Sequence, residues 1–177
     1  AVRGTWAPIM KAETRAVHVG AATIGWKPDV TVGAGSIMPP QTYIMEFSSR
    51  PEVSKIAKAK YLNTGDLAEV DHVQEYGLEL AGVWDGFAWQ AEYMNAKVDR
   101  LARATTLSDH DFSGWYAQAA YVLNGKRKYA ADEGLVDRVA PGKGGAWELA
   151  LRYSTMDLND VTAVDPIMGG SAKNFTV

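Results

Sequence analysis

Glu79 and Glu92 are the first residues to weigh, because two carboxylates on facing strands of one hairpin are a common arrangement for acid–base chemistry. Their neighbours favour another use. Gly77, Ala81, Ala88 and Gln90 surround them with small and polar side chains, a setting that suits charges on a wetted wall. His18, His72 and His110 are scattered, and Asp109-His110-Asp111 does not supply the converging ligands a metal ion needs. Gly142-Lys143-Gly144-Gly145 has the look of a phosphate-cradling loop. It lacks the hydroxyl residue after the lysine and leads into a strand rather than a helix, so it fails as a nucleotide site. Lys55, Lys58 and Lys60 form a basic cluster that reads as a solvated loop face or as an attachment point for an anionic partner. The sequence therefore gives no reason to expect an enzyme, a cofactor or a bound metal.

The elements that must position these residues are strands. The chain has 177 residues, a net charge of −3 and no cysteine. That charge does not suggest nucleic acid, and the missing cysteines exclude a disulfide framework and thiolate chemistry. No run approaches the ~18 consecutive apolar residues of a membrane helix. The apolar residues are spread in alternation instead. Tyr76, Leu78, Leu80 and Trp84 share one face, and Glu75, Gly77, Glu79 and Ala81 the other. Asp85-Gly86 is a strong hairpin signal. Beyond it Phe87, Trp89, Ala91 and Tyr93 alternate with Gln90 and Glu92. Trp115 to Leu123 and Ala146 to Ser154 repeat the pattern. Val2 to Ala7 and Val17 to Lys27 read as two further strands joined by Lys11-Ala12-Glu13-Thr14. Val53 to Leu62 could form a short helix with Ser49 as its N-cap. Long connections run over 28–70, 100–111 and 126–145.

Alternation alone fits a soluble sandwich, a lipocalin-like binding barrel or a membrane barrel. In the first two the apolar face packs inward, whereas in the third it meets lipid and the polar face lines a lumen. Two details favour the membrane. Trp84, Phe87, Tyr93, Trp115, Trp147 and Tyr153 stand toward strand ends, as in the aromatic girdles of outer-membrane barrels. The opposite face mixes small residues with Glu79, Glu92, Glu148 and Arg152.

Several segments resemble the phosphate-selective porin O and P family. They are Gly114 to Gly125 (GWYAQAAYVLNG), Gly145 to Tyr153 (GAWELALRY), Arg3 to Pro8 leading into Val17 to Gly20, Ser49-Arg50-Pro51-Glu52, Asn63-Thr64-Gly65-Asp66, and Tyr76 to Glu79 with Gln90 to Tyr93. They occur in the family's order along nearly the whole chain. The resemblance implies an all-β fold, a sixteen-stranded antiparallel transmembrane β-barrel in the full-length member, with about six to seven strands in this chain. Residues 1–177 would then be one partial porin domain, truncated at both ends and covering much of the second half of the barrel. The resemblance also implies a homotrimer in the outer membrane of a Gram-negative bacterium, in contact with lipid and lipopolysaccharide, passing small anions with phosphate or polyphosphate among the candidates.

In that family, selectivity comes from basic side chains on segments folded into the lumen. Here the matching segments carry Arg50, Arg138 and Lys143, and the wall adds Arg3 and Arg152. Glu79, Glu92 and Glu148 are the expected lumen carboxylates. The sequence departs from the phosphate-binding members in two places. Arg50 stands without the neighbouring arginines, and Leu135 and Ala140 replace lysines. These departures favour a broader anion channel or a general porin over a phosphate-specific one.

Overall fold

The structure is a computed structural model that describes residues 1–28, 44–50, 60–101, 106–137, 139–141, 143–161 and 163–177. Two tight turns organise it. Glu13-Thr14 joins β1 (Val2–Ala12) to β2 (Arg15–Trp26), and Asp85-Gly86 joins β3 (Val70–Trp84) to β4 (Phe87–Arg100). Asp85 takes φ 53°, a left-handed conformation that aspartate tolerates in turns. A side chain at Gly86 would approach the Val122 carbonyl to 2.7 Å, so glycine is needed there. β5 (His110–Val122), β6 (Glu148–Asp160) and β7 (Ile167–Thr176) follow. The seven strands form one antiparallel sheet in chain order. The β3–β4 register runs almost unbroken from His72↔Asp99 to Trp84↔Phe87. Short two-residue pairs, Ser48–Ser49 with Leu62–Asn63 and Tyr129–Ala130 with Leu135–Val136, lie in the connections.

Several boundaries differ from the sequence expectation. β1 extends past Ala7 to Ala12, because a register shift between Trp6 and Ile9 changes the phase of the alternation without ending the strand. The turn accordingly contracts to Glu13-Thr14. β7 completes the sheet over Ile167–Thr176. Its first half contains Gly169 and Gly170, which carry no side-chain signal. Gly169 lies against the Leu158 carbonyl, and Gly170 takes φ 89° beside a register irregularity. Most of the helix expected over Val53–Leu62 lies outside the described residues. Leu62, at its end, pairs with Ser49 in a strand bridge.

The two faces of the sheet differ in what covers them. On one face Leu78 is 59% exposed, Leu149 60% and Trp147 73%, and Leu80, Trp84, Tyr93 and Tyr121 are exposed as well. Trp89, half-buried, lies over Gly82, where any side chain would collide with the indole. No described segment crosses this face. The run Tyr76–Trp84 covers about 27 Å along the strand at ~3.4 Å per residue. At a tilt of about 40° that becomes about 20 Å of height, close to the apolar band of an outer-membrane barrel.

The polar face carries the covering segments. Phe47 and Met45, on the 44–50 segment, pack on a cluster of Leu62, Leu67, Val70, Val73, Val98, Phe112 and Leu158 near one rim. At the other rim, which holds both tight turns, the 123–147 connection lies over Ala16 and Val83. Arg127 and Tyr129 of this connection donate backbone hydrogen bonds to the carbonyls of Asp85 and Glu13 in the two turns.

An arginine on the bare face should be costly. Leu80→Arg is expected to destabilise the folded protein in lipid vesicles by about 2–4 kcal/mol. Ala150→Arg, exposed on the polar face, should change it by about 0.5 kcal/mol or less. Denaturant titration of the full-length protein in vesicles measures both, and equal costs would contradict the assignment of faces.

Candidate permeation wall

The polar face is built by strand alternation, and its registers bring charged groups of neighbouring strands level. Glu79 stands directly opposite Glu92 on β4. Like charges at such a position repel, and each carboxylate is met by its own donors. Arg3, on β1, reaches Glu79 through Nη2 at 2.8 Å and Nε at 3.0 Å. His18 places Nε2 3.2 Å from the same carboxylate oxygen. The Glu79 side chain occupies the space over Gly20, where an added Cβ would collide with it. On the other side Gln90 donates to Glu92 and to the Tyr116 hydroxyl, both at 2.7 Å. Gln118 donates to Gln90 at 3.2 Å. Arg152 donates to Gln118 at 2.8 Å and lies 3.7 Å above the Tyr116 ring. A continuous polar row thus crosses β4, β5 and β6, and a second, charged group joins β1, β2 and β3.

The 123–147 connection closes on this wall. Tyr129 sits against Ala7, Ala16 and Val83 and places its hydroxyl 2.8 Å from His18 Nδ1. Burial pushes its phenol above the ordinary value, with Arg3 opposing and Glu79 adding to the effect. Lys128 pairs with Glu13 at 2.8 Å, which raises its ammonium pKa. Arg127 pairs with Glu148. At the rim Asp85 collects Arg15 at 2.7 Å and Lys126 at 3.1 Å, and these two cations hold its carboxyl below the usual aspartate range.

Of the residues singled out from sequence, Arg3, Arg152, Glu79, Glu92 and Glu148 all lie on the polar face, and Arg3 and Glu79 are in direct contact. Arg50 and Lys143 are exposed in the covering segments and are not joined to this group by the described contacts. Arg138 lies outside the described residues, as do Lys55 and Lys58, while Lys60 pairs with Glu46. His18, Tyr129, Gln90, Gln118 and Tyr116 were not anticipated as a group. The alternation of β2 does place His18 on the face of Glu79, but nothing local marks Tyr129 as its partner. His110 is buried between Asp160 at 3.2 Å and Asp165 at 3.4 Å, at the opposite rim. Among the described residues no set of side chains gathers as a metal site.

A sheet that is apolar and bare on one face, and charged and covered by its own connections on the other, is the wall of a transmembrane β-barrel. The chain belongs to the phosphate-selective porin O and P family, whose family model matches residues 1–177. It is similar to Porin O of Pseudomonas aeruginosa, with 36% identity over 92 residues, a stretch that is 50% of this chain and 20% of that protein. The chain therefore matches only a minor part of that relative's length. No solved structure matches.

The Glu79 carboxyl depends on the open space at Gly20. Gly20→Ala is expected to lower stability by about 1–3 kcal/mol through overpacking. Gly4→Ala, whose added Cβ would meet nothing within 4 Å, should leave it unchanged. Denaturant unfolding compares the two, and equal effects would separate Glu79 from this packing.

Proposed function

We propose that this chain forms part of the wall of a bacterial outer-membrane channel that passes small anions by passive diffusion. The observation that carries the reading is the coverage of the faces. Its own segments lie on the polar side, and the apolar side is left bare for lipid. Membership of the porin family supports the same reading. Closure with further strands would pair the outer edges of β1 and β7, as hydrocarbon requires. We propose assembly as a homotrimer among lipid and lipopolysaccharide, a reading that membership of the family supports.

The anion preference rests on Arg3 and Arg152 in the wall, with Arg50, Arg138 and Lys143 on the connections. Guanidinium groups stay charged at all working pH values and offer several donors to an oxyanion. Weak, exchangeable binding of this kind lowers the barrier to entry without trapping the ion. A second reading, a general porin of low selectivity, is favoured by one observation. Arg3 is paired with Glu79 and Arg127 with Glu148, so part of the positive field is cancelled within a few ångströms.

Reversal potential of the full-length protein in a planar bilayer, under a potassium chloride gradient, separates the two. The anion channel should reverse toward the chloride potential. Replacing Arg3, Arg50, Arg138, Lys143 and Arg152 by glutamine should move it toward the potassium potential. Reversal near zero in the unaltered protein would favour the general porin, and reversal at the potassium potential would contradict any anion preference.

A further inference from the structure

We propose that Arg3, His18 and Glu79 are positioning residues. They clamp residues 129–134 of the connection onto the channel wall and thereby set how far that connection narrows the lumen. The inference rests on the polar face being the lumen side.

The clamp has two grips that share one carboxylate. The first grip is Tyr129. Its ring fills a small apolar socket of Ala7, Ala16 and Val83, and it is only 5% exposed. Its hydroxyl meets His18, which is 2% exposed. An ionised Glu79 can only accept, so His18 Nε2 carries the proton toward it. In the neutral ring Nδ1 is then an acceptor, and the Tyr129 hydroxyl donates to it. Every donor in this relay has an acceptor, as a buried polar group requires. The second grip is Arg3. While its Nε and Nη2 hold Glu79, its Nη1 and Nη2 reach the carbonyls of Glu133 and Gly134 at 3.4 Å each. Gly134 takes φ 66°, and an added Cβ would stand 3.3 Å from the His18 ring and 3.5 Å from Thr5 Oγ1. Glycine therefore lets the connection settle onto the wall at this point. Glu79 orients both grips, so loss of its carboxylate should release the whole stretch. A residue that served only to neutralise Arg3 would not have this consequence.

The test is single-channel conductance of the full-length protein in planar bilayers. Glu79→Ala should raise conductance on the order of twofold and add open-channel noise, as the connection leaves the lumen. Tyr129→Phe, which keeps the ring in its socket, should move conductance the same way by less, and it stands in if Glu79→Ala does not fold. Unchanged conductance and noise in both Glu79→Ala and Tyr129→Phe, with only the reversal potential altered, would overturn the clamp. If the unaltered protein does not conduct, the channel reading fails instead. Limited trypsin cleavage at Lys126–Lys128 in detergent then decides the clamp: cleavage that is slow in the parent and faster in Glu79→Ala supports it, and equal rates overturn it.

Discussion

Everything in this structure depends on which face of the sheet is left without a protein partner. In hydrocarbon a backbone N–H or C=O has no water to turn to, so a spanning strand must satisfy its groups on its neighbours. The long registers from β1 to β7 do this within the sheet. The side chains then divide by alternation, and solvent on each side decides their chemistry. A water-soluble domain would cover Leu78, Leu80 and Leu149 with its own chain. Here the covering segments lie on the other side, over Ala16, Val83 and Phe112, and the leucines stay bare.

That choice explains the form of the polar face. Charges there stand on a wall exposed to water at mid-height and to protein at both rims. Where a segment covers them they are fully partnered, as in Tyr129–His18–Glu79–Arg3. Away from the segments they form a looser row, Glu92, Gln90, Tyr116, Gln118 and Arg152. The arginines thus do two kinds of work. Arg152 stacks on an aromatic ring in the wall, whereas Arg3 spends part of its donor capacity holding a connection. Treating all basic residues as equal members of an ion path overlooks that difference.

The regular part of the fold was legible in the sequence because period two is a direct imprint of a one-sided strand. Tyr76 to Trp84, Asp85-Gly86 and Phe87 to Tyr93 translate into β3, the turn and β4 with little change at the turn end. The reading failed where the imprint is interrupted. A phase shift near Pro8 hid the second half of β1, and Gly169-Gly170 break the imprint in β7. The wall charges Glu79, Glu92 and Arg152 were legible for the same reason, since their face follows from parity. The Tyr129–His18 contact was not, because it joins residues far apart in sequence through a connection without periodicity. Its position is fixed by a socket that exists only once β1, β2 and β3 are paired.

The central claim is that the bare face meets lipid. Nitroxide labels placed one at a time at Leu78, Gly77, Leu80 and Ala81 of the full-length protein in vesicles, read by electron paramagnetic resonance, test it most directly. The account predicts that positions 78 and 80 collide readily with dissolved oxygen and poorly with a polar nickel reagent. Positions 77 and 81 should show the reverse or be shielded from both. Polar-reagent access at 78 and 80, or oxygen access without alternation along the strand, would contradict it.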